Sequence, residues 1–203
     1  MIGIVDYRMG NLRSVQKALA RLGHDAAYVQ RPDEIDAADK LILPGVGAYA
    51  DAMKHLREQQ LVDAIKRFVD SARPFLGICL GLQLLFDRSE EGGEPEGLGI
   101  IPGRVVSFRS NDPTIRVPHM GWNALELTRP DNPLFADLPD QPFVYFVHGY
   151  YAAPDDEAAI ATTTDYAGRF CSSVWRDNLW AMQFHPEKSQ RVGLGILHNF
   201  ARL

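Results

Sequence analysis

Short apolar stretches alternate with amphipathic segments over residues 1–80, and this alternation limits the folds open to the chain. Ile2–Val5 is a continuous apolar run typical of a buried strand, and residues 11–22 carry apolar side chains at helical spacing before Gly23, a natural helix stop. Further strand patterns occupy residues 25–30, 40–43 and 73–78, with helical patterns between the last two. Strands separated by helices favour parallel βαβ units.

The second half of the chain changes character after Gly92. Short strand patterns occupy residues 104–108, 122–127, 143–150, 158–163, 170–175 and 179–184. The last two flank Arg176-Asp177-Asn178, which is typical of a hairpin turn, and residues 190–203 again show helical spacing. With 203 residues and 46% hydrophobic composition, we expect one α/β domain over residues 1–203: a central, mostly parallel sheet flanked by helices, with an antiparallel extension.

Charge and cysteine content argue against several classes of protein. The net charge of −5 does not supply the basic field that drives phosphate-backbone binding, so no nucleic-acid partner is expected. Two cysteines are too few and too far apart for a disulfide framework or a zinc site, which favours a cytoplasmic setting. No signal-peptide pattern opens the sequence and no run approaches a membrane span, so no membrane association is expected.

The sharpest local motif is Gly77-Ile78-Cys79-Leu80-Gly81, between a strand pattern and a helix expected to begin at Leu80. Small residues on both sides of the cysteine permit a tight strand-to-helix turn, like the nucleophile elbow of hydrolases. A helix N-terminus there would favour the thiolate over the thiol. The alternative is that Cys79 is a small buried core residue, as most free cysteines are.

A second motif, His185-Pro186-Glu187, follows the strand pattern of residues 179–184. A thiolate nucleophile needs a base, and His185 can take the thiol proton while Glu187 orients the imidazole. Taken alone, a histidine beside a glutamate is more often a surface pair. Together with the elbow, the pair predicts a Cys79-His185-Glu187 triad.

A third motif, Pro44-Gly45-Val46-Gly47, follows the strand pattern of residues 40–43. Its glycines allow backbone amides to turn toward a ligand and supply an oxyanion donor. An ordinary strand-to-helix loop is the alternative. No GxxxxGK[ST] accompanies the loop, so it is not a phosphate loop.

The PGVG loop, the GICLGLQLLF elbow and the FHPEKS segment closely resemble the class I glutamine amidotransferases, over nearly the whole chain. The resemblance implies that family's fold, a catalytic triad of Cys79, His185 and Glu187, and hydrolysis of L-glutamine through a cysteine thioester. It implies no metal and no organic cofactor.

The resemblance also assigns binding roles. It implies oxyanion donors at Leu80 and at Val46 or Gly47, and contacts to substrate glutamine at Gln83 and Glu91. His148 and Gly149 lie near the implied glutamine site; the alternative for His148, and for His119 in the motif of residues 118–123, is a role in satisfying buried polar groups. Gly149 departs from the family, in which serine or threonine often follows the histidine, so a side-chain contribution at this position is in doubt.

Within the family, PGVG and Pro118-His119-Met120-Gly121-Trp122-Asn123 resemble the branch that serves imidazole glycerol phosphate synthase, as does the start at residues 6–12. That branch implies a (β/α)8-barrel cyclase subunit as partner in a heterodimer, to which ammonia passes. The implied interface residues are Asn11, Trp122, Asn123, Tyr145 and Lys188. A buried core tryptophan and a solvated surface lysine are the plain alternatives for Trp122 and Lys188.

Two other functions compete with this interpretation. One is another triad glutaminase whose ammonia goes to a chorismate-derived or nucleotide acceptor. The other is a noncatalytic binding or stress protein with Cys79 as a redox sensor, which would leave His185 and Glu187 without a task. Cys171, on a strand pattern without an elbow, is expected to have a packing role.

Overall fold

The structure is a computed structural model that describes residues 1–109 and 112–203. The helices are α1 (Leu12–Arg21), α2 (Pro32–Ala37), α3 (Tyr49–Glu58), α4 (Leu61–Asp70), α5 (Leu80–Gln83) and α6 (Gln190–Arg202). The strands are β1 (Ile2–Val5), β2 (Ala26–Val29), β3 (Lys40–Gly45), β4 (Phe75–Cys79), β5 (Phe86–Ser89), β6 (Ile101–Ser107), β7 (His119–Ala124), β8 (Glu126–Leu127), β9 (Phe143–His148), β10 (Tyr150–Pro154), β11 (Ile160–Asp165), β12 (Arg169–Arg176) and β13 (Leu179–Met182). Within the described ranges no helix is long and apolar enough to cross a membrane.

A mixed sheet forms the centre of the fold, with the strand order β2-β1-β3-β4-β13-β12-β10-β6-β5. The strands from β2 to β13 run parallel to one another. From β13 onward β12, β10 and β6 pair antiparallel, β5 returns parallel to β6, and β11 pairs with β12 and β8. This arrangement confirms the α/β class with its antiparallel extension.

Two hydrophobic layers cover the two faces of the parallel strands. On one face α2, α3 and α4 bury Ile35, Leu56 and Phe68. On the other face α1 and α6 bury Leu19 and Phe200. Because β1, β3 and β4 are covered on both faces, their sequences read as continuous apolar runs instead of alternating ones. The sheet is thereby held rigid, and its strand ends present side chains at fixed positions.

A separate two-stranded ribbon, β7–β9, lies outside the main sheet. It pairs antiparallel from His119 opposite His148 to Ala124 opposite Phe143. The sequence pattern suggested one strand over residues 143–150, but the chain changes sheets at Gly149, so this expectation was wrong in its extent. The first ribbon strand also begins earlier than the apolar pattern, at His119, because pairing with β9 and not local propensity decides it.

Helix α2 and strand β5 have no counterpart among the predicted elements. Helix α2 begins at a proline and is capped by Glu34, whose Oε2 accepts hydrogen bonds from the backbone N–H of Gln30 and Arg31. Strand β5 follows the elbow helix at Phe86 and has only four residues. Both elements are too short to give a clear hydrophobic period.

Candidate active site

The carboxyl ends of β3, β4 and β13 bring the three sequence motifs together. Gly45 at the end of β3 pairs with Cys79 at the end of β4, and Met182 at the end of β13 pairs with Ile78. His185 follows β13 by three residues. Parallel strands whose ends meet at one edge of a sheet are where open α/β folds place ligands. The structure therefore brings Cys79, His185 and the PGVG loop to one edge.

Cys79 stands on a strained turn between β4 and α5. Its φ of 54° and ψ of −109° fall outside the regions that residues with a Cβ normally occupy. Close backbone approach enforces the turn: a Cβ on Gly81 would lie 1.8 Å from the Leu43 carbonyl oxygen, and one on Gly77 would lie 2.9 Å from the Gly81 carbonyl oxygen. This is the elbow that the sequence predicts.

The helix after the elbow begins at Leu80, as expected, and is short. Helix α5 covers only Leu80–Gln83, so the potential at Cys79 comes from the first-turn N–H groups and not from a long macrodipole. The Leu80 N–H, as the first of these, has no acceptor within the helix. It is therefore suited to donate to an oxyanion at the cysteine.

The His185–Glu187 pair is buried beneath the elbow. Nδ1 of His185 lies 2.9 Å from Oε1 of Glu187, and the two side chains are 2% and 1% exposed. With Nδ1 held, Nε2 is the ring atom left for Cys79; it has no partner at hydrogen-bonding geometry among the described residues. Burial disfavours the charged ring, but the interactions with Cys79 and Glu187 outweigh it and raise the pKa of His185 to about 9.

A cavity of about 310 Å³ opens above the cysteine. The residues that line it include all those expected at the oxyanion and glutamine sites, together with two members of the triad: Val46, Gly47, Leu80, Gln83, Glu91, His148 and Gly149, with Cys79 and His185. Gly47 has a φ of 94°, which lets the PGVG loop turn sharply at the mouth of this cavity. The cavity therefore has the nucleophile at its base and suits a small polar ligand.

The side chains of Gln83 and Glu91, which are both expected to contact the substrate, already form hydrogen bonds within the protein. The Gln83 side-chain nitrogen donates to the Tyr150 carbonyl and to Oε1 of Gln183, both at 3.0 Å. Its own oxygen is then the atom left for a ligand, so Gln83 would meet glutamine as an acceptor. Oε2 of Glu91 accepts from the backbone N–H of Tyr49 at 3.0 Å and so holds the start of α3.

His119 and His148 form a buried chain of directed hydrogen bonds. Nδ1 of His148 lies 2.8 Å from the Tyr150 carbonyl, which can only accept, so that nitrogen carries the proton. Nε2 of His148 must then accept from Nδ1 of His119 at 3.0 Å. Nε2 of His119 in turn faces the Asn123 amide nitrogen at 3.4 Å. These hydrogen bonds fix the tautomers of His119 and His148 and connect the ribbon strand β7 to the wall of the cavity.

Acid should destabilise the fold through this histidine pair. Burial lowers the pKa of His119 to about 4 and of His148 to about 3. At these two positions the unfolded chain binds protons below about pH 6.5 that the folded chain does not bind, which lowers the free energy of unfolding as the pH falls. The raised pKa of His185 acts in the opposite direction, but it is one group against two. Each histidine contributes at most about 1.4 kcal/mol per pH unit in that range. Urea unfolding between about pH 7 and about pH 5.5 measures the slope.

The controls for this prediction are two variants, one at a buried histidine and one at a surface histidine. His119→Phe keeps an aromatic ring in the stack with Tyr166 and Phe146 and should remove about half of the pH slope that the histidine pair contributes. His55→Gln, on the surface of α3, should leave it unchanged. A parent protein whose unfolding free energy does not vary between these pH values contradicts the assignment.

Three of the predicted interface residues, Trp122, Tyr145 and Lys188, lie together beside the triad. Trp122 is 45% exposed and packs edge-on against Tyr145 at 6.2 Å between ring centroids. Lys188, next to Glu187, places its Nζ 5.9 Å from the Tyr145 ring centre. Asn11 lines a small gap that Glu187 also lines. The exposed tryptophan rules out the buried-core alternative for that residue.

Asn123 differs from its neighbours on this surface. Its amide nitrogen donates to the Asp165 carbonyl at 3.0 Å and its oxygen accepts from the Ala124 N–H at 2.8 Å. The side chain is therefore engaged within the chain, on the inner face of β7, while Trp122 points outward.

Sequence reasoning missed two groups around the nucleophile. The amide nitrogen of Gln183 lies 3.7 Å from the Cys79 sulfur. The buried Tyr7 hydroxyl donates to the Pro44 carbonyl at 3.0 Å, and burial, with Cys79 nearby, raises its pKa so that it stays neutral. A signal for Gln183 exists: it is a polar residue within the apolar strand pattern of residues 179–184, directly before the His185 motif. The second cysteine, Cys171, is buried, and burial raises the pKa of its thiol to about 12.

Comparison with known proteins agrees with this site. The family model described as glutamine amidotransferase class-I matches residues 3–202. The chain therefore belongs to the class-I glutamine amidotransferase family and is a glutamine amidotransferase. Among the described residues no group of three or more histidine, cysteine, aspartate or glutamate side chains is arranged to hold a metal ion.

Within that family, the chain is similar over its whole length to proteins named imidazole glycerol phosphate synthase subunit HisH. The protein of that name from Syntrophotalea carbinolica is 54% identical, with 98% of each chain covered. The one from Geobacter sulfurreducens is 49% identical over 100% of this chain and 98% of its own. Among solved structures, PurLQS from Thermotoga maritima superposes with a TM-score of 0.78 at 18% identity, covering 99% of this chain and 97% of that one. A structure titled glutamine amidotransferase gives 0.76 at 20% identity, covering 100% and 99%.

Proposed function

We propose that this chain is the glutaminase subunit of imidazole glycerol phosphate synthase, that it hydrolyses L-glutamine to L-glutamate and ammonia, and that Cys79, His185 and Glu187 carry out the chemistry. The observation that supports the chemistry most directly is the buried His185–Glu187 pair, 2.9 Å apart beneath a cysteine on a strained elbow. Similarity to HisH subunits over the whole chain supports the pathway, histidine biosynthesis.

The first half-reaction makes the thioester. The Cys79 thiolate attacks the carboxamide carbon of glutamine, and the carbonyl oxygen becomes an oxyanion between the Leu80 N–H and an N–H of Val46 or Gly47. The intermediate collapses when the carbon–nitrogen bond breaks, and Nε2 of His185 gives its proton to the departing nitrogen. Ammonia leaves, and the glutamyl group stays on the sulfur.

The second half-reaction releases glutamate. His185, now neutral, takes a proton from water as the water oxygen attacks the thioester carbon. The tetrahedral intermediate collapses with loss of the thiolate, which is again paired with the imidazolium. Glu187 holds the ring in one tautomer throughout, and its charge stabilises the protonated state. No metal or cofactor takes part in either step.

The ammonia needs an acceptor, which we place on a second subunit with a (β/α)8-barrel cyclase fold, in the cytoplasm. The name of the HisH relatives makes each of them a subunit of a larger synthase. On this chain the exposed surface of Trp122, Tyr145 and Lys188 lies next to the triad and suits that contact, since partly exposed aromatic side chains are the usual anchors of interfaces. A subunit docked at this surface would affect the PGVG loop through the small gap that Asn11 and Glu187 line together with residues of that loop.

The test of function combines the purified chain with a purified cyclase barrel and its nucleotide ligand. Glutamate release should rise strongly when both are added, and imidazole glycerol phosphate should form with glutamine as the nitrogen donor. If the chain is stimulated instead by a chorismate-using enzyme, the chemistry stands and the pathway is wrong. If neither partner elicits glutamate release, the proposed function fails.

Loss of the Trp122 side chain should weaken docking. Trp122→Ala removes the largest exposed aromatic of the surface, and the dissociation constant for the barrel should rise by about 30-fold or more, as for an anchor residue. Isothermal titration calorimetry measures this value. Trp175→Ala, on β12 away from that surface, is the matched control and should bind normally. Equal loss in both variants would indicate a folding defect, and no loss in either would remove Trp122 from the interface.

The alkaline limb of the pH profile should report on His185. Because the ring must be protonated when ammonia leaves, kcat/KM in the complex should fall above a midpoint near the raised pKa of about 9. Glu187→Gln removes the carboxylate that supports the charged ring, so the midpoint should drop by about one unit and the rate by at least about tenfold. A midpoint that is the same in both proteins would show that another group sets this limb.

A further inference from the structure

Gln183 joins the nucleophile to a chain of side-chain amides that the reaction scheme above does not use. Its side chain is fully buried just beyond β13, where its backbone N–H continues the ladder to the Ser172 carbonyl at 2.9 Å. Oε1 of Gln183 accepts from Gln83 at 3.0 Å, and Nε2 of Gln183 lies 3.7 Å from the Cys79 sulfur. Gln83 in turn donates to the Tyr150 carbonyl at 3.0 Å.

The Tyr150 carbonyl is a fixed acceptor, and it determines the orientation of the side-chain amides of Gln83 and Gln183. The Tyr150 carbonyl can only accept, so the Gln83 group that faces it must be the NH2. The same NH2 faces Gln183, which must therefore present its oxygen. The NH2 of Gln183 is left to face the sulfur. A flipped Gln183 amide would set two donors against each other and an oxygen against a thiolate.

We propose that Gln183 is a further catalytic group, whose amide N–H donates to the Cys79 sulfur and stabilises the thiolate before attack and again when the thioester breaks. This inference rests on the proposed role of Cys79 as the nucleophile. A neutral donor fixed at the sulfur stabilises its negative charge without becoming a proton source, and a buried hydrogen bond to a charged group is among the stronger kinds. It also limits rotation of the sulfur about the Cys79 side chain.

Gln183 and the triad act on the sulfur in different ways. The titratable groups that face the sulfur are His185, with Glu187 behind it, and the buried Tyr7 hydroxyl, which stays neutral. His185 gives up its proton when ammonia leaves and regains one from water before the thiolate is released. The Gln183 amide keeps its N–H throughout. It therefore donates to the sulfur whatever the protonation state of His185, and it adds to the imidazolium's stabilisation of the thiolate both before attack and when the thioester breaks.

The test measures alkylation of Cys79 by iodoacetamide as a function of pH, in a Cys171→Ala parent so that only one thiol reacts. Gln183→Met keeps the shape of the side chain but removes both its donor to the sulfur and its acceptor for Gln83, and the pH midpoint of alkylation should move up by about one unit, a tenfold change in the thiolate equilibrium. Gln183→Glu keeps the acceptor for Gln83 and turns a carboxylate oxygen toward the sulfur, so its midpoint should move further. Ser173→Ala, a buried polar deletion on β12, is the matched control with no expected shift.

Turnover in the complex with the cyclase barrel provides a second measurement. In both Gln183→Met and Gln183→Glu, kcat for glutamine hydrolysis should fall about tenfold or more, and in Gln183→Glu, which keeps the acceptor for Gln83, KM should stay within about twofold, because the donor acts on the sulfur and not on the substrate. A midpoint and a kcat equal to those of the parent would overturn this inference and leave the proposed function intact. A parent that neither hydrolyses glutamine nor reacts selectively at Cys79 would overturn the proposed function itself. If Gln183→Glu does not fold, Gln183→Met decides alone.

Discussion

Cys79→Ala is expected to abolish glutamate release, with kcat in the complex at least about a thousandfold below the parent. The reason is chemical: without the thiolate no thioester forms, and water is too poor a nucleophile to replace it at a carboxamide. Alanine also tolerates the backbone at this position about as well as cysteine does, since both carry a Cβ at a φ of 54°. Stopped assays of glutamate, with and without the cyclase barrel, measure the loss.

The matched control for this variant is Cys171→Ala. Cys171 is buried on β12 with its thiol 3.4 Å from the Ser173 carbonyl, away from the cavity, and its loss should leave turnover within about twofold of the parent. A glutamine analogue that alkylates cysteine should label the parent and Cys171→Ala but not Cys79→Ala. Full activity in Cys79→Ala would exclude the thioester route, whatever the partner.

Much of the active site could be predicted because its parts are local in sequence. The elbow needs small residues at positions 77 and 81 around Cys79, and these are neighbours in the chain. The base and its orienting carboxylate, His185 and Glu187, lie two residues apart. The open βαβ pattern then implies that strand ends converge, so the separate motifs were expected to meet.

The rest of the site depends on pairings that no local pattern encodes. Gln83 and Gln183 are 100 positions apart, and their amides meet only because β4 and β13 are neighbours in the sheet. The His119–His148 contact depends on the register of the β7–β9 ribbon, and a shift of one residue would turn His119 to the other face. Both sets of hydrogen bonds end at the backbone carbonyl of Tyr150. Because every residue has such a carbonyl, no residue type in the sequence marks this position.

Gly149 is a position at which the sequence departs from the family pattern, and the structure shows what the departure changes. A Cβ at this position would meet only Val117 Cγ1 at 3.6 Å, an ordinary contact, so space does not require a glycine. The backbone on either side still lines the cavity through His148 and Tyr150. The missing hydroxyl therefore removes a side chain from the site without altering the frame that holds it.

Gly81→Ala should prevent the elbow from forming. The added Cβ would lie 1.8 Å from the carbonyl oxygen of Leu43, a backbone atom of the central strand β3, so relief requires β3 and the start of α5 to move apart. That movement would break the contact that holds Cys79 beside Gly45. Overpacking usually costs about 1–3 kcal/mol, and because the clash here is with backbone, the free energy of unfolding should fall by more than that. Urea unfolding followed by circular dichroism measures the change.

The comparison that isolates this effect is Gly195→Ala, the same substitution in α6. There the new Cβ meets only Leu138 Cδ2 at 3.6 Å, so alanine's better helix propensity should raise the free energy of unfolding by up to about 1 kcal/mol. If the free energy of unfolding falls in Gly81→Ala and rises in Gly195→Ala, the close backbone contact at Gly81, and not glycine's loss of chain entropy, accounts for the requirement for glycine at the elbow. A Gly81→Ala protein as stable as the parent would mean that β3 and the elbow are not in close contact, and the geometry that sets Cys79 above the sheet would need another explanation.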